Sequence, residues 1–108
     1  MKSSVSEAGF QQAVIELAQL CGWKVAHFRR SRTATGWTTA VGADGKGWPD
    51  LFLAHPVRGL AIAWELKVPP NKTTPEQEEW LDVLRAVGID AKVVTPDNWE
   101  YIERILKL

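Results

Sequence analysis

The chain of 108 residues has a single cysteine, Cys21. A lone thiol excludes an internal disulfide and a metal–thiolate cluster, and it points to a reducing compartment. No apolar run approaches the roughly 20 residues that a bilayer crossing needs, so no membrane partner is expected. Residues 1–7 are polar and carry no secretory leader pattern. No repeat, low-complexity tract or break in composition divides residues 1–108, which read as one domain long enough for its own core. Net charge is absent too: 13 basic side chains face 13 acidic ones, which gives no support to a chain-wide basic footprint. The balance is uneven, however. Residues 1–67 hold eight Lys/Arg against five Asp/Glu, so the first part is basic and the rest acidic. Such asymmetry permits a local polyanion site.

What is present falls into periodic segments. Ser4-Val5-Ser6-Glu7 reads as a capping box, Ser4 at the cap and Glu7 three residues on. Phe10, Val14, Leu17 and Cys21 continue at helical spacing to Gly22. Glu7, three residues before Phe10, lies on the extension of that stripe. Residues 23–29 read as a strand, and residues 30–46, rich in Ser, Thr and Gly, as a long loop. Leu51-Phe52-Leu53-Ala54 and residues 60–67 read as an antiparallel hairpin. Beyond the breaker at 68–72, Thr74 caps a helix with Pro75 in its first position. Gln77, Trp80, Leu81, Leu84 and Val87 form its stripe, and Gly88 ends it. Residues 90–95 make a fourth strand, reached most simply by a right-handed crossover. Asp97 caps a last helix with Trp99, Ile102, Ile105 and Leu106 inward. The order αβββαβα implies an α/β fold, a mixed four-stranded sheet flanked by helices.

The chemistry concentrates in Gly47-Trp48-Pro49-Asp50 and Trp64-Glu65-Leu66-Lys67. Strand alternation puts Leu60, Ile62, Trp64 and Leu66 on one face, and Ala61, Ala63, Glu65 and Lys67 on the other. Two small residues, a carboxylate and an ammonium make a shallow charged hollow that packing alone does not call for. A hard cation such as Mg²⁺ or Mn²⁺ takes carboxylate oxygens and leaves positions for water and phosphate. Asp50 and Glu65 are candidate ligands, a main-chain carbonyl near Leu66 a third, and Lys67 a holder of water or of the phosphorane's charge. Taken alone, Glu65 and Lys67 also fit an exposed ion pair worth about 0–1 kcal/mol, and Pro49-Asp50 a turn. Arg29, Arg30, Arg32 and Lys46 surround the loop as candidate DNA phosphate contacts, a solvated loop being the alternative. His27 reads either as a hydrogen-bonded neutral histidine or as part of that DNA surface. Trp23, Trp64, Trp80 and Trp99 fall at inward positions, and of Trp37 and Trp48, in or beside the loop, neither taken singly is expected to stack on an unpaired base.

Pro49-Asp50 followed by Glu65-Leu66-Lys67 resembles the PD-(D/E)XK nuclease signature. The wider likeness is to stand-alone virus-type replication-repair nuclease (VRR-NUC) domains. It runs through Ser6-Glu7, Val14-Ile15-Glu16-Leu17-Ala18, Gly22-Trp23, His27-Phe28-Arg29, Gly47-Trp48-Pro49-Asp50-Leu51, Glu65-Leu66-Lys67, Thr74-Pro75-Glu76-Gln77 and Gly88. The resemblance implies a restriction-endonuclease-like core. It implies Glu7 as a first-helix acid at the metal, Asp50 and Glu65 as ligands, Lys67 as the catalytic lysine, and Gln77 beside the scissile phosphate. Glu7 and Gln77 also suit plain capping boxes. It further implies a Mg²⁺- or Mn²⁺-dependent DNA endonuclease with no small-molecule cofactor, leaving a 5′-phosphate and a 3′-hydroxyl. Branched or junction DNA, a homodimer, and the cytoplasm of a bacterial or phage-infected cell complete the expectation. The rivals are a restriction-type or non-specific nuclease or nickase, and a non-catalytic DNA-binding module of the same fold.

Overall fold

The structure, a computed structural model, describes residues 5–28, 31–33, 36–38 and 42–108, the two short middle stretches by backbone alone. Helix α1 spans Glu7–Leu20, and its cap is Ser6, whose Oγ accepts from the Gly9 N–H at 2.9 Å. The capping box expected from Ser4 is therefore corrected: Glu7 is the first helical residue, not the third, so the reciprocal half of the box does not form. Ser4 itself lies outside the described residues. Ser6 takes the cap because its hydroxyl meets an N–H of the first turn that has no partner in the helix. Phe10, Val14 and Ala18 form the buried stripe of α1, while Leu17 and Cys21 pack at its margin.

Strand β1 (Lys24–His27) is shorter than the expected 23–29. Where a continuous loop was expected, two short strands, β2 (Ser31–Thr33) and β3 (Gly36–Thr38), pair antiparallel as a separate two-stranded sheet. Thr and Trp favour extended backbone, but no apolar–polar alternation marks these strands in the sequence. Strands β4 (Leu51–His55), β5 (Leu60–Leu66) and β6 (Asp90–Val94) join β1 in the main sheet, in the order β1-β4-β5-β6. The first two pairings are antiparallel and β5–β6 is parallel, giving the mixed sheet.

Helix α2 (Pro75–Ala86) links β5 to β6, and α3 (Trp99–Lys107) follows a 3₁₀ turn at Pro96–Asn98. The expected cap at Asp97 is corrected by that turn. Asn98 Oδ1 accepts from the Thr95 N–H at 2.8 Å, and no side chain caps α3. Period-2 alternation in β5 separates the two cores. Ile62, Trp64 and Leu66 are buried with residues of α1 and α3, among them Phe10, Val14, Ile102 and Leu106. On the other face Ala63 and Ala91 pack with Leu81 and Leu84 of α2. Val87, expected in the α2 stripe, is 70% exposed because it is the C-cap, where the chain has turned off the helix axis. Among the described residues no helix is long and apolar enough to cross a membrane.

Candidate active site

Asp50 is positioned by the segment before it. Gly47 adopts φ +90°, and a Cβ built there would lie 2.6 Å from the backbone carbonyl carbon of Glu76 in α2. Only glycine lets the segment lie this close to the helix. The next residue, Trp48, meets Trp80 of α2 edge-on at 4.9 Å between ring centroids, and it also contacts Phe52 and Phe28, each at 6.1 Å. Trp80 in turn donates from Nε1 to the Asp44 carbonyl at 2.9 Å. Lys46 and Glu76 add an ion pair at 3.8 Å across the same joint, too exposed to contribute much. Pro49 is fully buried. The segment thus enters β4 already fastened to α2, and Asp50 stands at the entrance to the strand. Its Oδ2 accepts from the Leu66 N–H at 2.9 Å, tying the start of β4 to the end of β5.

Glu65, on the α2 face of β5, is 1% exposed and is the buried charged side chain of this core. Its Oε2 accepts from Gln77 Nε2 at 2.9 Å and lies 3.6 Å from Lys67 Nζ. Its Oε1 is buried with no hydrogen-bond partner. Burial, and then the charge of Asp50, push the Glu65 carboxyl up to about 8, against the pull of Lys67. Two acid groups abut, and one buried oxygen lacks a donor. Leaving it so costs free energy until a proton or a cation takes the place. The donor set is all oxygen, the kind that Mg²⁺ and Mn²⁺ prefer.

Gln77 serves both roles that its position suggests. Its amide oxygen accepts from the Thr74 N–H at 2.9 Å, completing the capping box of α2, while its amide nitrogen holds Glu65. One side chain therefore couples the start of α2 to the acid pair. The N-terminus of a helix is electropositive, and Gln77 delivers a donor from that end to a carboxylate.

The structure brings Asp50, Glu65, Lys67 and Gln77 together. It does not add Glu7, which opens α1 on the opposite layer. Among the described residues no group of three or more His, Cys, Asp or Glu side chains is gathered to hold a metal ion. His27 also turns to the α1 side, where a ring nitrogen lies 3.1 Å from Gln11 Oε1. Lys46 is exposed and paired with Glu76. Arg29, Arg30 and the side chain of Arg32 lie outside the described residues. Trp48, beside the expected loop, is packed among three other aromatic rings. Phe28, which the sequence marks only as part of the first strand and of the family likeness, sits beside Asp50. The signal available was an apolar residue where a strand runs out towards a basic stretch.

A family model for the VRR-NUC domain matches residues 6–98. The comparisons with curated proteins and with solved structures found no match. The family match spans nearly the whole chain, and it includes Asp50 at the start of β4, Glu65-Leu66-Lys67 at the end of β5 and the capped helix that carries Gln77. The chain belongs to the VRR-NUC family and is a nuclease domain of PD-(D/E)XK-like fold.

Proposed function

We propose that this nuclease domain is a divalent-metal-dependent DNA endonuclease that hydrolyses phosphodiester bonds at branched or junction DNA as a homodimer. The observation that carries the chemical half is the unpaired buried oxygen of Glu65, set against Asp50 and flanked by Lys67 and Gln77. The residues fit a hard cation. Asp50, Glu65 and the Leu66 carbonyl would hold Mg²⁺ or Mn²⁺. When bound, the cation lowers the pKa of a coordinated water and offsets phosphate charge.

The chain's own residues supply the rest. Gln77 fixes the rotamer of Glu65 by holding Oε2, which leaves Oε1 for other use. The Leu66 N–H fixes Asp50 in the same way. Lys67, 14% exposed, keeps its amine at the mouth of the acid pair. There it can hold the attacking water or meet the charge that builds on phosphorus. In-line attack then releases a 3′-hydroxyl and leaves a 5′-phosphate. Arg29, Arg30, Arg32 and Lys46 would contact DNA phosphates along the approach, with His27 on the far side of β1. A cytoplasmic setting in a bacterial or phage-infected cell goes with this reading.

The test is cleavage of four-way junctions, flaps and linear duplex side by side under a Mg²⁺ titration, with Asp50→Ala as comparison. We expect metal-dependent cleavage, greatest on branched DNA and lost in the variant. Equal, metal-independent behaviour of the two proteins would remove the enzyme reading and leave a DNA-binding module. Indifference to branching would leave a restriction-type or nicking activity instead.

A further inference from the structure

Phe28 is a large apolar side chain left exposed beside the acid site. The register of β1 with β4 pairs His27 with Leu51, so Phe28 is the next residue along and faces Asp50. Its N–H donates to the Asp50 carbonyl at 3.0 Å. Ala26 pairs with Phe52 and Phe52 with Ala63, which puts the parity of Phe28 on the same face as Asp50 and Glu65. Yet α2 does not cover it: Phe28 is 46% exposed. An exposed aromatic ring is thus held next to the acid pair.

The ring is also braced. It meets Trp48 edge-on at an interplanar angle of 81°. Trp48 is locked in turn by Trp80 and Phe52, and Trp80 by its bond to the Asp44 carbonyl. A T-shaped contact occupies at most one face of the Phe28 ring and leaves the other for a planar partner. A ring braced in this way gives up little conformational freedom on binding. Simple cover for Trp48 would ask only for an apolar side chain, and an exposed aliphatic would serve. The sequence that follows, Arg29, Arg30 and Arg32, adds the positive charge that a nucleic-acid backbone attracts.

We propose that Phe28 is a stacking platform for an unpaired base next to the scissile phosphate, so that the nuclease takes DNA with bases exposed at the cleavage point. This rests on the nuclease reading and names the feature of the substrate that the site engages. Base–aromatic stacking is sequence-tolerant because every base has a π-face. It selects for an unpaired base because a paired one is already stacked in the duplex.

The experiment uses the full chain with single-stranded, flap and fully paired oligonucleotides carrying 2-aminopurine next to the cleavage point. Binding is read with Ca²⁺ in place of Mg²⁺, and cleavage with Mg²⁺. Phe28→Ala and Phe28→Leu should lose the 2-aminopurine quench and weaken binding of the single-stranded and flap DNA roughly 5- to 100-fold. The loss on paired duplex should be smaller, and Phe28→Trp should restore both readouts. Leucine matters because it keeps the apolar cover over Trp48, so a folding defect in Phe28→Ala does not decide the result. Wild-type binding and quench in Phe28→Leu would overturn the proposal, as would an equal loss on all three DNAs. A chain that quenches through Phe28 yet cleaves nothing would sink the nuclease reading and leave the stacking site standing.

Discussion

At the scale of single residues, Glu65 carries the most physical tension. Its carboxyl is pushed from 4.5 up to about 8 by burial first and by Asp50 second, with Lys67 opposing. The folded, metal-free protein therefore keeps a proton on Glu65 through a range in which the unfolded chain has lost it. By linkage, stability is greatest below about 4.5 and falls as pH rises through the window to about 8. A thermal melt in a chelating buffer should show a lower Tm at pH 8.5 than at pH 5.5, and Glu65→Gln, which has no proton to lose, should flatten that slope. A slope unchanged in Glu65→Gln would mean that another group titrates. Gln77→Glu separates the two jobs of Gln77: a carboxylate can still accept from the Thr74 N–H but has no donor for Glu65 and adds a third acid. We expect a near-normal Tm at pH 5.5 with cleavage reduced at least about tenfold, the order of a lost charge-assisted hydrogen bond. The residue types of the site were legible in Pro49-Asp50 and Glu65-Leu66-Lys67, because strand parity follows from spacing. The double use of Gln77 was not, since spacing says which way a side chain leaves the helix and not which partner each end of its amide finds.

At the scale of elements, the joint between the segment 42–48 and α2 sets the distance between Asp50 and Gln77. Gly47 is its tightest point, with a left-handed φ and backbone 2.6 Å from where a Cβ would sit. Gly47→Ala should destabilise the fold by more than about 1 kcal/mol, measurable by urea unfolding, because both the φ and the space are wrong. Wild-type stability would show that the joint can open freely. Thr74→Ala removes only the cap and should cost about 1 kcal/mol. The same elements show how far sequence reading reaches. The faces of β5 and the cap of α2 were readable because period and cap chemistry are local. The cap of α1 shifted from Ser4 to Ser6, and a 3₁₀ turn displaced the cap at Asp97, because two polar residues competed at each end and geometry chose. The short pair β2–β3 has no one-sided apolar pattern to announce it.

At the scale of the whole molecule, charge is divided along the chain, with the basic excess in residues 1–67. Replacing Arg30 and Arg32 with alanine should weaken DNA binding and flatten its dependence on salt, since each lost phosphate contact lowers the number of ions released. An unchanged salt slope would remove both residues from the interface. The central claim is that Asp50 and Glu65 share one cation beside Lys67. It is tested most directly by calorimetric titration of Mn²⁺ into the wild-type protein, Asp50→Ala and Glu65→Gln at pH 8 without DNA. The account predicts saturable binding to the wild type that is lost in both variants. Binding that survives both substitutions, or no binding to the wild type at all, would contradict it.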